Sequence, residues 1–269
     1  MSLAMIDIHH HLLFALDDGS PDLETSVAMV EAAANDGITH IVCTPHANSR
    51  FLFHPSLNHE RVEMLRARID NKVTLGLGCD FRLSEENVED ALQNPAKYTI
   101  NQKQYLLIEF EDQLIPQSAT GTLHHLSKSG QRPIITHPER NSAIQRHPER
   151  MKDWLRDGAL VQVTASSLTG RFGRTAQSLA EQFLDKNWVH FLATDAHNLE
   201  SRPPKLSEAY GILATRYGTE TAERLCVTNP RAVFFGEELG AQPALLDLEN
   251  TEEAPESHKK GLLSRWFSS

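Results

Sequence analysis

The sequence predicts an α/β protein in which seven parallel strands form a barrel, each strand being followed by helical sequence. Short apolar runs alternate with amphipathic segments from about residue 5 to residue 239, and several runs are almost continuously apolar, as in strands buried on both faces. Most of these runs end in His, Asp or Glu. The length of 269 residues lies in the range of single α/β barrels. An open doubly wound sheet is the alternative architecture.

The order of the apolar runs fixes the expected topology. We predict strands over residues 5–8, 38–44, 73–78, 105–110, 133–136, 160–164 and 188–194. Helices are expected near residues 20–36, 57–70, 84–92, 118–129, 148–157, 175–186 and 204–217. Helical connections between strands of one sheet are right-handed and give parallel pairing. No strand is followed by GxGxxG or GxxxxGK[ST], which argues against a dinucleotide site and a P-loop.

Composition indicates which classes of partner and which cellular compartment are compatible with the sequence. The formal net charge of −10 argues against a nucleic-acid partner, because proteins that bind nucleic acid carry a basic face. A small anionic substrate is still compatible, since a bound metal reverses the local charge. Three cysteines without CxxC spacing indicate a reducing compartment. The sequence has no secretory signal and no uninterrupted apolar stretch of about 20 residues, and it therefore predicts a cytoplasmic protein.

The chain divides near residue 240. Residues 1–240 form the predicted barrel, and residues 241–269 form a tail that is first acidic and then basic and aromatic. A flexible C-terminus is the first interpretation of this tail. The alternative is a short foot that makes weak contact with an anionic membrane and places the protein at its inner face. The residues of that foot would be Lys259, Lys260, Leu262, Leu263, Arg265, Trp266 and Phe267.

The first strand ends in three histidines. Side chains alternate along a strand, so His9 and His11 point to one side and His10 to the other. The loop that follows carries Asp18, which can fold back over the strand end. Neutral imidazole and carboxylate are both ligands of divalent metals, so the group can begin a metal site. Alone, the group is equally consistent with a histidine-rich N-terminus that faces solvent.

Later strands add further side chains that can bind metal. In a parallel barrel the carboxyl ends of all strands meet at one rim, so side chains that are distant in sequence come together there. The predicted set holds five imidazoles and four carboxylates, which are His9, His11, Asp18, His46, Asp80, Glu109, His137, Asp195 and His197. One strand-end histidine would more often be a surface residue, but a full set at one rim indicates a metal centre. Nine ligands suit two or three ions, and the absence of sulfur favours Mn, Fe or Zn.

The charge of such a centre favours phosphate chemistry. Three dications bring +6 against the −4 of the carboxylates, and the resulting pocket attracts a phosphate dianion. Metal clusters also lower the pKa of a water and stabilise the attacking and leaving oxygens of a phosphoester. Arg140 and Arg202 follow two of the predicted ligands closely, and a guanidinium group can grip phosphate oxygens bidentately. Surface ion pairs with Glu139 and Glu200 are the alternative for these two arginines.

Several motifs carry a resemblance to a known family. They are Asp7-x-His9-x-His11, Asp17-Asp18-Gly19, Thr44-x-His46, Ile108-Glu109-Phe110, His137-Pro-Glu-Arg140, Asp195-Ala-His197-Asn-Leu-x-x-Arg202-Pro-Pro and Asn229-Pro230. In wording and order this set resembles the polymerase-and-histidinol-phosphatase (PHP) superfamily. It is most similar to the capsule-type branch, the bacterial manganese-dependent protein tyrosine phosphatases. The resemblance covers about residues 5–239 and implies a distorted (β/α)7 barrel with three metal ions, Mn above Fe or Zn.

The resemblance also implies roles for individual residues. It distributes the nine ligands over three metals, with His9, His11 and Asp195 on the first, Asp80 bridging to a second that takes Glu109 and His137, and Asp18, His46 and His197 on the third. Arg140 and Arg202 would hold the phosphate, and together with Asp195 and His197 they form the predicted catalytic group. Many relatives have Glu at the position of Asp80, so the bridge is one methylene shorter in this chain.

The expected function is hydrolysis of phosphotyrosine in a protein by hydroxide that a metal activates. By resemblance, the partner is a membrane-bound tyrosine autokinase that controls capsular polysaccharide or exopolysaccharide synthesis. The cysteine-dependent mechanism needs Cys-x5-Arg, whereas six residues separate Cys43 from Arg50 and four separate Cys226 from Arg231. One alternative is a phosphatase of small molecules such as histidinol phosphate. Another is a regulator that binds the kinase tail without turnover.

Overall fold

The strands lie parallel and follow the predicted order along the chain. The computed structural model describes residues 4–249. Its strands are β1 (Met5–His10), β2 (Ile38–Cys43), β3 (His46–Ala47), β4 (Thr74–Leu77), β5 (Asp80–Arg82), β6 (Tyr105–Glu109), β7 (Arg132–Thr136), β8 (Leu160–Thr164) and β9 (Phe191–Ala193). They pair in the orders β1-β2-β4 and β3-β5-β6-β7-β8-β9, and every ladder between them is parallel.

Backbone hydrogen bonds join these two sheets into a ring. The amide of Gly78 donates to the carbonyl of Cys43 at 2.9 Å, and the amide of Asp80 donates to Pro45 at 3.1 Å. Pairing therefore continues across the gaps, so that β2 and β3 form one interrupted strand, as do β4 and β5. On the other side, the amide of His11 donates to the carbonyl of Ala196 at 2.9 Å. The predicted distorted seven-stranded barrel is confirmed, and the open sheet is wrong.

Helices cover the outside of the ring. They are α1 (Leu23–Asn35), α2 (Pro55–Arg66), α3 (Glu85–Gln93), α4 (Ala119–Lys128), α5 (Ser142–Arg146), α6 (Met151–Arg156), α7 (Ala165–Leu168), α8 (Gly173–Asp185), α9 (Ser207–Tyr217), α10 (Thr219–Glu223) and α11 (Asn229–Phe235). The first helix begins later than expected, because its cap is Asp22, whose side chain accepts from the amide of Thr25 at 2.8 Å. The predicted start near Ser20 therefore lies two to three residues too early, which is less than one turn.

The alternation of side chains along the strands separates two apolar layers. In β6, Tyr105 and Leu107 belong to the cluster inside the ring, and Leu106 and Ile108 belong to the layer between strands and helices. Glu109 shares its parity with the inner pair, so the strand directs this carboxylate toward the interior at the rim. The apolar interior below the rim keeps water away from the charged groups above it and strengthens their electrostatic interactions.

The chain continues in contact with the barrel beyond the predicted boundary at residue 240. The indole nitrogen of Trp188 donates to the carbonyl of Leu246 at 2.8 Å, and the amide of Leu246 donates to Lys186 at 3.0 Å. Residues 241–249 therefore lie along the barrel. The predicted basic and aromatic foot lies outside the described residues. Within residues 4–249, none of the helices has the length and apolar character needed to cross a membrane.

A buried histidine at the start of β9 makes the stability of the fold depend on pH. His190 is buried, and its Nδ1 accepts a hydrogen bond from the amide of Val161 at 3.2 Å. Burial, assisted by the charge of Arg224, lowers the pKa of His190 to about 4. The unfolded chain takes up this proton near a pKa of about 6.5, so the folded state loses stability as the pH falls below that value.

We expect His190→Asn to reduce the pH dependence of stability, because the asparagine oxygen can accept the same hydrogen bond without titrating. Between about pH 7 and pH 5, the metal-free wild type should lose about 2 kcal/mol of unfolding free energy more than the variant. Denaturant unfolding at both pH values measures this difference, with the exposed histidine variant His124→Asn as control. Equal pH dependence in wild type and His190→Asn would contradict the assignment.

Candidate metal centre

The first loop folds back tightly onto the end of β1. The amide of Gly19 donates to Asp17 at 2.9 Å, and the amide of Ser20 donates to the carbonyl of His11 at 3.2 Å. A Cβ atom at Gly19 would lie 2.3 Å from that carbonyl oxygen, so only glycine fits here. This close approach brings Asp18 to the rim, where its carboxylate lies 3.3 Å from Nε2 of His46.

A local irregularity in β1 turns the histidines toward the site. Between two paired positions the chain advances three residues in β1, from Asp7 to His10, and only two residues in β2, from Ile41 to Cys43. Such a bulge shifts the alternation by one residue and redirects the side chains beyond it. Ile8 packs inside the ring, and after the bulge His9 also lies inside, with its Nδ1 2.9 Å from Oε1 of Gln162. The predicted common side of His9 and His11 follows from this arrangement.

All nine predicted ligands gather at this rim. They form four overlapping groups, each with ligand atoms within 4.8 Å of one another. The groups are His11, Asp18, His46 and His197; His9, His11 and Asp80; His9, His137 and Asp195; and His46, Asp80 and Glu109. The structure thus pairs Glu109 with Asp80 and His46, whereas the family resemblance pairs it with His137. The assignment of each ligand to a particular ion remains a prediction.

Hydrogen bonds orient three of the five imidazoles so that one nitrogen of each faces the centre. Nδ1 of His11 lies 2.8 Å from Oδ2 of Asp17, and Nδ1 of His197 lies 3.0 Å from the carbonyl of Asp195. With Gln162 on Nδ1 of His9, the same arrangement occurs three times. Ligand histidines in metalloproteins are held in this way, with the second ring nitrogen fixed by an oxygen acceptor.

The atoms that face the centre have few partners of their own. Nε2 of His9 and Nε2 of His11 lie 3.3 Å apart, and in their neutral forms both nitrogens could bind one divalent ion. Among residues 4–249, Oδ2 of Asp80, Oδ1 of Asp195 and Nε2 of His197 are buried without a hydrogen-bond partner. Buried polar atoms without partners are costly, and divalent ions at these positions would satisfy them. The donor set therefore fits a metal centre.

Burial and neighbouring charges shift the pKa values of several groups in this cluster. Burial lowers the pKa of His9, but the charges of Asp80 and Asp195 outweigh it and raise that pKa to about 9. Burial raises the pKa of Glu109 to about 7, and the negative charge of Asp80 adds to the effect. Burial holds the pKa of His137 well below its usual range. Metal must displace such protons, so metal affinity is expected to increase with pH.

Two ligand positions have left-handed backbone conformations. His137 has φ 35° and directly follows β7, and Asp195 has φ 51° and lies two residues after the end of β9. Residues other than glycine adopt this region at a cost of about 1–3 kcal/mol, which is typical of functional sites. The kink ends the strand and turns these side chains across the rim.

The two predicted arginines enter the site from different loops. Arg140 and Arg202 both donate to Oδ2 of Asp195, and both line the cavity above the cluster. The guanidinium group of Arg140 also lies over the ring of Phe172, 4.3 Å from its centroid. The alternative of an ion pair between Arg140 and Glu139 is wrong, because Glu139 is buried and accepts from Thr164 and Ser167 instead.

Several residues around the site were not predicted from the sequence. The cavity has a volume of about 320 Å³ and includes Arg82, whose Nε donates to Glu109 at 3.0 Å. Arg82 lies two residues after Asp80 on β5, so strand alternation could have placed both on the same side. Phe51 also lines the cavity, from an irregular loop that gives no periodic signal. Gln162 is a polar residue inside an otherwise apolar strand, and this position could have indicated that it has a role in the site.

The barrel and its rim of imidazoles and carboxylates define a metal-binding barrel protein of the PHP type. A family described as capsular polysaccharide synthesis, CpsB/CapC, matches residues 5–235. The chain belongs to this family, as the motifs predicted.

Individual relatives agree with this assignment. Tyrosine-protein phosphatase YwqE of Bacillus subtilis is 34% identical over 220 residues, which cover 80% of this chain and 86% of the relative. Tyrosine-protein phosphatase CpsB of Streptococcus pneumoniae is 29% identical over 240 residues, covering 86% of this chain and 98% of the relative.

Solved structures share the fold. A chain from the crystal structures of YwqE from Bacillus subtilis and CpsB from Streptococcus pneumoniae, described as unique metal-dependent tyrosine phosphatases, has a TM-score of 0.83 and 32% identity. The match covers 90% of this chain and 98% of that chain. Histidinol phosphate phosphatase from Lactococcus lactis has a TM-score of 0.51 and 13% identity, with coverage of 82% and 94%. The second likeness concerns the fold alone.

We expect Asp80→Asn to weaken metal binding, because Asp80 belongs to two of the ligand groups and the change removes its charge. The affinity for Mn²⁺ should fall by at least about tenfold, as measured by calorimetry and by metal content after dialysis. Asp80→Glu should retain metal, and Asp247→Asn, at an exposed carboxylate, serves as control. Unchanged affinity and stoichiometry in Asp80→Asn would remove Asp80 from the ligand set.

Proposed function

We propose that this chain is a metal-dependent protein tyrosine phosphatase. The observation that carries the proposal is the joint presence of a cluster fit for metal and two arginines at one cavity. Relatives at 29–34% identity over most of the chain are named tyrosine-protein phosphatases. A tyrosine kinase that acts in capsular or exopolysaccharide synthesis is the proposed protein substrate, and the cytoplasm, at or near the inner face of the membrane, is the proposed location.

The chain's own residues can bind and orient a phosphoester. Arg140 and Arg202 converge on one carboxylate oxygen of Asp195, so their remaining N–H groups are available to phosphate oxygens across the cavity. Asp195 itself holds the two guanidinium groups in place and limits their motion before substrate arrives. Divalent ions, when bound, supply positive charge for the phosphate oxygens and lower the pKa of the attacking water.

The cluster suggests the number and kind of ions. We infer three, because nine ligand side chains exceed what one ion can hold and the family resemblance distributes them over three ions. Imidazole and carboxylate ligands without sulfur suit Mn²⁺, which we propose, and Fe or Zn are the alternatives. We assign His9, His11, Asp18, His46, Asp80, Glu109, His137, Asp195 and His197 as metal ligands, of which Asp195 and His197 also belong to the catalytic group with Arg140 and Arg202.

The substrate class can be tested with two phosphoesters side by side. A phosphotyrosine peptide should be hydrolysed faster than histidinol phosphate, activity should disappear after chelation, and Mn²⁺ should restore it. Phosphate release measures all three effects. Preference for histidinol phosphate would contradict the proposal of a protein substrate but would leave the proposed metal centre unaffected. Binding of the peptide without turnover by the metal-loaded protein would favour the non-catalytic regulator.

The proposed binding of phosphate by Arg140 and Arg202, the arginine clamp, can be tested separately. Arg202→Lys keeps the positive charge but loses the planar fork, so kcat/KM for the peptide should fall about 10- to 100-fold. Arg140→Lys should have a comparable effect. The control is Arg216→Lys, at an arginine that pairs with Glu181 at the protein surface. Wild-type kcat/KM in both active-site variants would contradict the clamp.

A further inference from the structure

The ring of Phe51 lies in the wall of the cavity and has no role in the mechanism described so far. It lines the cavity together with Asp18, His46 and Arg202, and it is partly exposed. Its plane is nearly parallel to the imidazole of His46, at an angle of 11° and a centroid distance of 5.8 Å. The guanidinium carbon of Arg50 lies 4.8 Å from the centroid of the same ring.

The loop that carries Phe51 is held by its own hydrogen bonds. Oδ1 of Asn48 accepts from the amides of Arg50 and Phe51, each at 2.9 Å. The amide of Asn48 donates back to the carbonyl of Phe51, also at 2.9 Å. A side chain that is fixed before the substrate arrives loses little conformational entropy on binding. The next residue, Leu52, is 71% exposed and adds apolar surface beside Phe51.

We propose that Phe51 is a specificity-determining residue that packs against the aromatic ring of the substrate. This inference rests on the proposed function. A phosphate held between the ligand cluster and the two arginines directs its ester substituent out of the cavity. His46 belongs to the cluster and Phe51 stacks beside it, so an aryl group leaving the cluster passes the exposed part of the Phe51 ring. Stacked aromatic pairs gain energy beyond the area that they bury.

The contact gives the enzyme a means to favour aryl phosphates over alkyl phosphates. An alkyl ester of serine or threonine has no ring to stack and ends closer to the phosphorus atom. A phosphorylated tyrosine reaches further and can cover both Phe51 and Leu52. An alternative role of the same stacking is to position His46 alone. Loss of that role would weaken the binding of inorganic phosphate, whereas loss of a contact with the substrate ring would not.

The experiment compares a phosphotyrosine peptide with inorganic phosphate, which lacks the ring. In the Mn²⁺-loaded variant Phe51→Leu, KM for the peptide should increase about tenfold, the ratio expected for one lost aromatic contact. The inhibition constant of inorganic phosphate and kcat should stay within about twofold of wild type. Phe51→Trp should restore KM, and Leu246→Ala, at an exposed apolar residue of the C-terminal segment, is the matched control.

Three results would overturn the proposal. One is an unchanged KM in Phe51→Leu. Another is a parallel loss of kcat and of phosphate inhibition, which would assign Phe51 the positioning of His46 alone. The third is equal affinity of the wild type for phosphotyrosine and inorganic phosphate by calorimetry, with or without turnover. Absence of peptide turnover in the wild type, by contrast, would count against the proposed function, and the calorimetric comparison would still decide the role of Phe51.

Discussion

The structure depends on the concentration of ionisable groups at one end of an apolar barrel. Five imidazoles and four carboxylates lie there within a few ångströms, and all except Asp18 and His46 are buried. Burying charged groups without partners costs several kcal/mol each, so the cluster requires counter-charge from protons, arginines or metal ions. Asp17 and Gln162 accept hydrogen bonds from Nδ1 of His11 and of His9, so Nε2 of each ring faces the centre and can bind a metal ion.

The backbone departs from regular strand geometry where it positions these side chains. The bulge in β1, the interruptions that separate β2 from β3 and β4 from β5, and the left-handed residues His137 and Asp195 all lie at the rim. The distortion of the barrel is therefore concentrated at the strand ends that carry ligands. Without the bulge in β1, regular alternation after the inward-facing Ile8 would point His9 and His11 away from the centre.

The sequence predicted the ring and the ligand set because both depend on local patterns. Apolar runs indicated the strands, and eight of the nine predicted ligands end or closely follow such a run, so barrel topology places them at one rim. Asp18 reaches the rim through the loop after β1. The bulge in β1 was not predictable, because it depends on pairing between Asp7 and Ile41 rather than on composition. Phe51 and Arg82 were missed for a similar reason: their roles come from the direction of a loop and from a contact with Glu109.

Asp195 links the two halves of the site. Its Oδ1 lies 3.4 Å from Nε2 of His9 and 3.3 Å from Nε2 of His11, while its Oδ2 accepts from Arg140 and Arg202. One carboxylate thus belongs to the predicted ligand cluster and also anchors the two arginines of the proposed phosphate clamp. A metal ion on Oδ1 would draw negative charge away from Oδ2 and weaken its hold on the guanidinium groups. In the proposed mechanism, metal binding and phosphate binding by the arginines would therefore be coupled through a single buried side chain.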